Sequence, residues 1–349
     1  MKKPNPPAQE TPISLTRRGF LGTLAGGAAT AAAGAAPAPP PSKANPYEYK
    51  VEHLFKTDPK HLIYEMQSTF RLPVAEGRRV AVGPEDQIWV SAGKTLLVFS
   101  ARLEKLREIQ ALDVIRAVAV EGDGTAYVAV KDHVEVFDPQ GRRREPWNIP
   151  GPNAWFTGIA VAAKDVFAAD ARNRVVLRYD KSGRLVGRLG EKDASRKIPG
   201  LVVPSPFLDV EVGPDGLLRV TNPGRHLVET YTFDGNLVNS WGKTSMGVEG
   251  FCGCCNPINI ALLPDGRYIT CEKGIPRVKR YSAKGEFEGV VVGPEAFPES
   301  LRTGAALNKW DGSMAGLDAA ADGQGRVLVL DQVSNTLRIM TPKKAGATS

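Results

Sequence analysis

The chain has 349 residues, of which 42% are hydrophobic and 24% charged, with 36 glycines and 27 prolines. That balance excludes global disorder and a multi-span membrane protein, and the scarcity of helix-period patterns favours short strands joined by tight turns. The formal net charge of +7 falls to about +4 once Lys2, Lys3, Glu10, Arg17 and Arg18 are set aside, and no basic block is interleaved with aromatics, so nucleic-acid binding is not expected.

At the N-terminus, Thr16-Arg17-Arg18-Gly19-Phe20-Leu21-Gly22 resembles the twin-arginine export motif. A mild Ala/Gly-rich apolar stretch follows to Ala36, too short and too weakly apolar for a stable span, and small residues from Ala33 to Ala38 offer cleavage sites. The expected organisation is a signal peptide at 1–38, a Pro-rich linker at 39–46, one folded domain at 47–344 and a disordered tail at 345–349. The resemblance implies passage through the twin-arginine export machinery to the periplasm or another extracytoplasmic space. It also implies folding before export, in a reducing compartment where a cofactor can load. A monomer without a membrane span after processing is expected.

Six segments then repeat one plan: a short apolar strand, a turn with Pro, Asp or Gly, a second apolar strand, a polar loop and a third strand. They begin R-V-A-V-G-P-E-D, A-V-A-V-E-G-D-G, G-I-A-V-A-A-K-D, D-V-E-V-G-P-D-G, N-I-A-L-L-P-D-G and D-A-A-A-D-G-Q-G. The turn acids Asp86, Asp123, Asp165, Asp215, Asp265 and Asp322 recur at a spacing of roughly 35 to 60 residues, that of propeller blades. One small sheet cannot bury its apolar surface alone, and stacking blades around an axis does so while leaving only short edges. The expected fold is therefore an all-β six-bladed β-propeller. The segment from His61 to Met66 has no partner of its own and is expected to close the ring as the outermost strand of the last blade.

The third repeat, A-D-A-R-N-R-V-V-L-R-Y-D-K-S-G, resembles an NHL repeat, and the resemblance extends over residues 75 to 342. Aligning the repeats puts Arg79, Ala117, Gly158, Asp209, Asn259 and Asp318 at the same place around the axis. Asp209, Asn259 and Asp318 offer oxygen ligands for a hard cation such as calcium, while a wet polar channel without chemistry is the plainer alternative.

The cysteines are more specific. Cys252, Cys254 and Cys255 lie in Gly250-Phe251-Cys252-Gly253-Cys254-Cys255-Asn256-Pro257, just before the inner strand of blade five. Cys271 ends the next strand, after the turn at Pro264-Asp265-Gly266. Antiparallel return carries the end of one strand to the start of the other, so the sulfurs are expected to converge within roughly 10 Å. Four thiolates suit zinc or an iron–sulfur cluster, although C-x-C-C is not the usual C-x-x-C pair. Disulfides and inert buried thiols stay open as alternatives. Arg225, His226, Lys273 and Arg277 are expected to form a charged rim on the same face, with His226 as a ligand or a plain loop histidine. Trp147 and Trp155 are expected to form an apolar plug, or else to line a ligand groove.

The run F-C-G-C-C-N-P, with L-L-P-D-G-R and E-K-G-I-P-R-V-K downstream, resembles a group of exported bacterial NHL-repeat proteins. The resemblance implies the fold, the export route and the cysteine loop as a feature of the type. It brings no reaction with it, and common hydrolase and nucleotide-binding motifs are absent from the sequence. Three functions compete: a binding or redox-linked module with a partner on the cysteine face, a cation-dependent enzyme of the gluconolactonase or lyase kind, and an interaction scaffold with a disulfide-stapled loop. The sequence favours binding over catalysis.

Overall fold

A computed structural model describes residues 52–302 and 316–344. The expected leader at 1–38, linker at 39–46 and tail at 345–349 lie outside the described residues.

Strand β1 (Tyr64–Arg71) precedes the first blade, which is built from β2 (Gly77–Val82), β3 (Ile88–Ala92), β4 (Thr95–Phe99) and β5 (Lys105–Gln110). Blade two has β6 (Ile115–Val120), β7 (Ala126–Val130) and β8 (His133–Phe137). Its fourth edge is irregular chain, where Arg144 and Trp147 donate backbone N–H groups to the carbonyls of Val136 and Val134 at 2.8 and 3.0 Å. Blade three has β9 (Phe156–Val161), β10 (Asp165–Asp170), β11 (Val175–Asp180) and β12 (Leu185–Leu189). Blade four has β13 (Val210–Val212), β14 (Leu218–Asn222), β15 (Leu227–Tyr231) and β16 (Leu237–Trp241). Blade five has β17 (Asn259–Leu262), β18 (Tyr268–Cys271), β19 (Val278–Tyr281) and β20 (Phe287–Val292). Blade six has β21 (Leu317–Ala321), β22 (Val327–Asp331) and β23 (Thr336–Pro342).

The six-bladed ring is closed as the sequence predicts, by β1 pairing antiparallel with β23 from Tyr64↔Pro342 to Arg71↔Thr336. The strand starts later than expected because Asp58 and Pro59 open a short 3-10 turn over Pro59–His61, with the Asp58 carboxylate accepting from Lys60 N. The core consists of layers between neighbouring blades, such as Val90, Leu97, Leu328 and Leu337 between blades one and six. Strand alternation sends successive side chains to opposite faces, so each inner strand feeds two such layers. Trp147 fills one of them against Tyr127 and Tyr179, as an apolar plug should.

Candidate functional site

The starts of the inner strands meet on the axis, and the group at their centre is a guanidinium. Arg79 donates through Nη1 to Asn259 Oδ1 and to Asp318 Oδ1, the latter at 3.0 Å, and through Nη2 to Asp209 Oδ1. The second carboxylate oxygens accept from neighbouring backbones: Asp318 Oδ2 from Val80 N at 2.7 Å, Asp209 Oδ2 from Ile260 N at 3.0 Å. Asn259 Nδ2 donates to Leu317 O at 2.7 Å. Gly158, the blade-three counterpart, leaves room for this packing, since a Cβ there would lie 3.0 Å from Asp209 Cα. The three residues expected to hold a cation do converge, and Arg79 supplies the positive charge among them. All four are buried, so the network is a closed ionic cluster with its lone pairs in use.

Beside this cluster lies a channel cavity of about 230 Å³, lined in part by Arg79, Asp318 and Glu211. Glu211 follows Asp209 by two residues, and the period of two puts both on the channel side. Its carboxyl makes no hydrogen bond or ion pair among the described residues, and burial with Asp209 nearby pushes it well above the carboxylate range. Burial likewise pushes Asp318 up to about 7, against the opposing pull of Arg79.

At the cysteine loop the chain reversal is as the sequence predicts: Asn259 pairs with Cys271, and Ile258 N donates to Cys271 O at 2.9 Å. The sulfurs nevertheless divide among three environments. Cys271 is fully buried in the apolar layer between blades five and six. The next residue, Glu272, points the other way and meets Cys252, whose Sγ lies 3.9 Å from Glu272 Oε2 and 3.8 Å from Arg277 Nη2. Burial pushes both of these thiols up. Among the described residues, no group of three or more His, Cys, Asp or Glu is placed to hold a metal ion.

The remaining pair is different. Cys254 is exposed, Cys255 is buried, and their sulfurs are 3.1 Å apart. Ser205 Oγ donates to Cys255 Sγ at 3.1 Å, and the nearby Lys273 ammonium favours its charged form. Burial alone would raise the Cys255 thiol, but Lys273, Ser205 and Cys254 together outweigh it and hold it below its ordinary value. Cys254, which gives its hydrogen bond to Cys255, is raised. The two adjacent thiols are thus shifted in opposite directions, the accessible one up and the shielded one down.

The loop is rigidly held. Gly253 takes φ +79, which a side chain would resist. The fully buried Asn256 donates through Nδ2 to Cys252 O at 2.7 Å and to Lys273 O at 3.0 Å, while its Oδ1 accepts from Lys273 N at 2.9 Å. His226 is a buried clamp and not an exposed rim group: Nε2 lies 2.9 Å from Gly253 O and Nδ1 2.9 Å from Thr244 Oγ1. A carbonyl only accepts, so Nε2 carries the proton and Nδ1 of the neutral ring accepts from the hydroxyl.

Below the loop, Lys279 is fully buried, 2.6 Å from Glu272 Oε1, and donates to Gly250 O at 2.6 Å. Arg277 pairs with Glu272 at 3.0 Å. Of the expected rim, Lys273 serves Cys255, Arg277 is buried in this network, and Arg225 is exposed with a long bond to Pro199 O at 3.4 Å. Sequence reasoning did not single out Ser205, Glu211, Asn256, Glu272 or Lys279. For Asn256 the signal was present, since it stands inside the cysteine motif; Ser205 reaches Cys255 from 50 residues away.

The architecture is a six-bladed β-propeller whose structural neighbours include lyases. A streptogramin B lyase structure matches with a TM-score of 0.57 at 12% identity, over 80% of this chain and 98% of that chain. Virginiamycin B lyase from Staphylococcus aureus matches with a TM-score of 0.55 at 13% identity, over 80% and 100%. A catalytically inactive variant of virginiamycin B lyase from Staphylococcus aureus with quinupristin matches with a TM-score of 0.52 at 11% identity, over 78% and 83%. At these identities the likeness carries the fold alone. No family model matches the chain, and no curated protein matches it.

Proposed function

We propose that this chain is an exported propeller platform whose working group is the Cys254–Cys255 dithiol, exchanging with disulfides on the face that carries Lys273. The observation that carries this reading is the pair of sulfurs 3.1 Å apart with one of them exposed and the other held toward thiolate. An ammonium beside the pair stabilises a thiolate and repels a metal cation, which favours exchange chemistry over a soft-metal site. Export rests on the twin-arginine leader at 1–38.

The exchange balances without a cofactor. Cys254 attacks one sulfur of a partner disulfide while its proton passes to the Cys255 thiolate, and one partner thiolate leaves. The Cys255 sulfur then closes on Cys254, its proton going to the second partner sulfur, which leaves as a thiol. The dithiol ends oxidised and the disulfide reduced; the reverse sequence oxidises a partner dithiol. Adjacent residues have Cα atoms about 3.8 Å apart, below the usual disulfide range of about 4.4–6.8 Å, so the ring they form is readily reopened. Such a bond suits turnover better than stapling.

Peptide mapping of the folded protein after treatment with a small disulfide provides the test. Oxidation is expected to protect Cys254 and Cys255 from alkylation as a linked pair, and Cys255→Ser is expected to leave a mixed disulfide trapped on Cys254. Persistence of both free thiols through the treatment would sink the reading. The axial cluster offers no comparable opening, since Arg79 already engages Asp209, Asn259 and Asp318.

A further inference from the structure

Ser205, which donates to Cys255 Sγ, also lines a cavity of about 480 Å³ together with Trp155, Arg172, Arg174, Val203 and Pro206. That volume falls within the range of small-molecule sites. Its chemistry is one-sided. Arg172 and Arg174 are exposed, and neither pairs with a carboxylate among the described residues. The Trp155 ring carries two guanidinium groups, Arg116 Cζ at 3.6 Å and Arg172 Cζ at 4.5 Å from its centroid. Both stack on the indole and add to the positive potential there.

The arginines stand on a fixed loop. Asp170, itself buried, accepts from Asn173 N at 3.0 Å, from Asn173 Nδ2 at 2.7 Å and from Trp155 N at 3.1 Å. One carboxylate therefore ties the Arg172–Arg174 turn to the start of blade three. Arg174 holds φ +57 there. A rigid, cationic, aromatic-floored groove ends at the hydroxyl that touches the shielded sulfur. Ser205 is thus shared between the lining of the groove and the surroundings of the dithiol.

We propose that this groove binds the anionic end of a small carboxylate-bearing disulfide or thiol, placing its sulfur at Cys254 and Cys255. The inference rests on the dithiol reading and names its substrate class. Carboxylates pair with the free forks of Arg172 and Arg174, and Lys273 adds to the field at the sulfur itself. Ser205 marks the point where the groove gives way to chemistry. A cationic disulfide meets like charge at every step of this path.

The experiment compares three aliphatic disulfides, each rate divided by that of the same disulfide with a small free thiol so that leaving-group differences cancel: dithiodipropionate with two carboxylates, hydroxyethyl disulfide with none, and cystamine with two ammonium groups. Oxidation of the Cys254–Cys255 pair in the folded protein is followed by quenched alkylation at low salt. The rate with dithiodipropionate is expected to exceed that with hydroxyethyl disulfide by about tenfold or more, and cystamine to be slowest. In the double variant Arg172→Ala, Arg174→Ala the ratio of the first two rates is expected to fall toward unity. A ratio unchanged by the double variant, or a preference for cystamine, would overturn the groove assignment while leaving the dithiol intact. Failure of all three disulfides to react would instead bring down the dithiol reading itself.

Discussion

The ring axis and the cysteine loop both gather polar groups from separate parts of the chain, yet they are opposite kinds of construction. On the axis, Arg79, Asp209, Asn259 and Asp318 satisfy one another, and each carboxylate oxygen is engaged. In the loop, Cys255 meets Ser205, Cys254 and the charge of Lys273, and the sulfur beside it is left in solvent. Convergence of reactive residue types is common to both and therefore does not identify a site. What separates them is whether a group capable of chemistry is left unspent. A closed ionic cluster resists change, whereas a shared proton beside an exposed sulfur invites it.

The contrast breaks first at Arg79. Arg79→Met leaves Asp209 and Asp318 buried without their cation, and the expected cost is about 3–5 kcal/mol of stability, read from the urea midpoint. A loss under about 1 kcal/mol would mean that the axis is not a structural cluster, and the cation-site reading would regain its footing. The second and smaller effect is on pH. Burial raises Asp318 to about 7 and Glu211 well above its ordinary value, so the folded chain holds more protons than the unfolded chain above the ordinary carboxylate range. The stability these two groups contribute is then fully present below that range and is lost as pH rises from about 4 through 7. Glu211→Gln is expected to flatten part of that fall in urea midpoints taken from pH 4 to 8. A midpoint that rises with pH over that window contradicts the axial account.

The axis was the more legible region in the sequence. Repeat alignment alone places Arg79, Asp209, Asn259 and Asp318 together, because each blade repeats the same strand start. The alignment does not say that the arginine's reach and fork would occupy the centre, since that depends on side-chain length and depth. Glu211 was within reach of the same argument through its spacing from Asp209. Ring closure by the N-terminal strand was legible because β1 is an orphan in the repeat count. The cysteine loop was legible only as a composition. Hairpin register returns Cys271 to Asn259, but strand alternation then sends its sulfur into the layer between blades, and no spacing rule reaches Ser205 from another blade connection. The surroundings of Cys255 are thus set by pairings between loops, which repeat logic does not see.

The smallest effect tests how the open site is held open. His226, between β14 and β15, contacts Gly253 O and Thr244 Oγ1 and so pins two points of the β16–β17 connection to blade four. Its removal in His226→Ala forfeits two neutral hydrogen bonds, for an expected loss of about 1 kcal/mol in the urea midpoint. The consequence for the dithiol is larger in proportion. Cys254 is already exposed and gains little, but Cys255 is shielded only while the loop stays closed, so its alkylation is expected to quicken several-fold at unchanged pH. Thr244→Val, which keeps the His226–Gly253 contact, is expected to move both readouts by less. Equal alkylation of Cys255 in all three proteins would show that Asn256, with its bonds to Cys252 and Lys273, holds the loop without help. The loop would then be held in place through Asn256 and Lys273 alone.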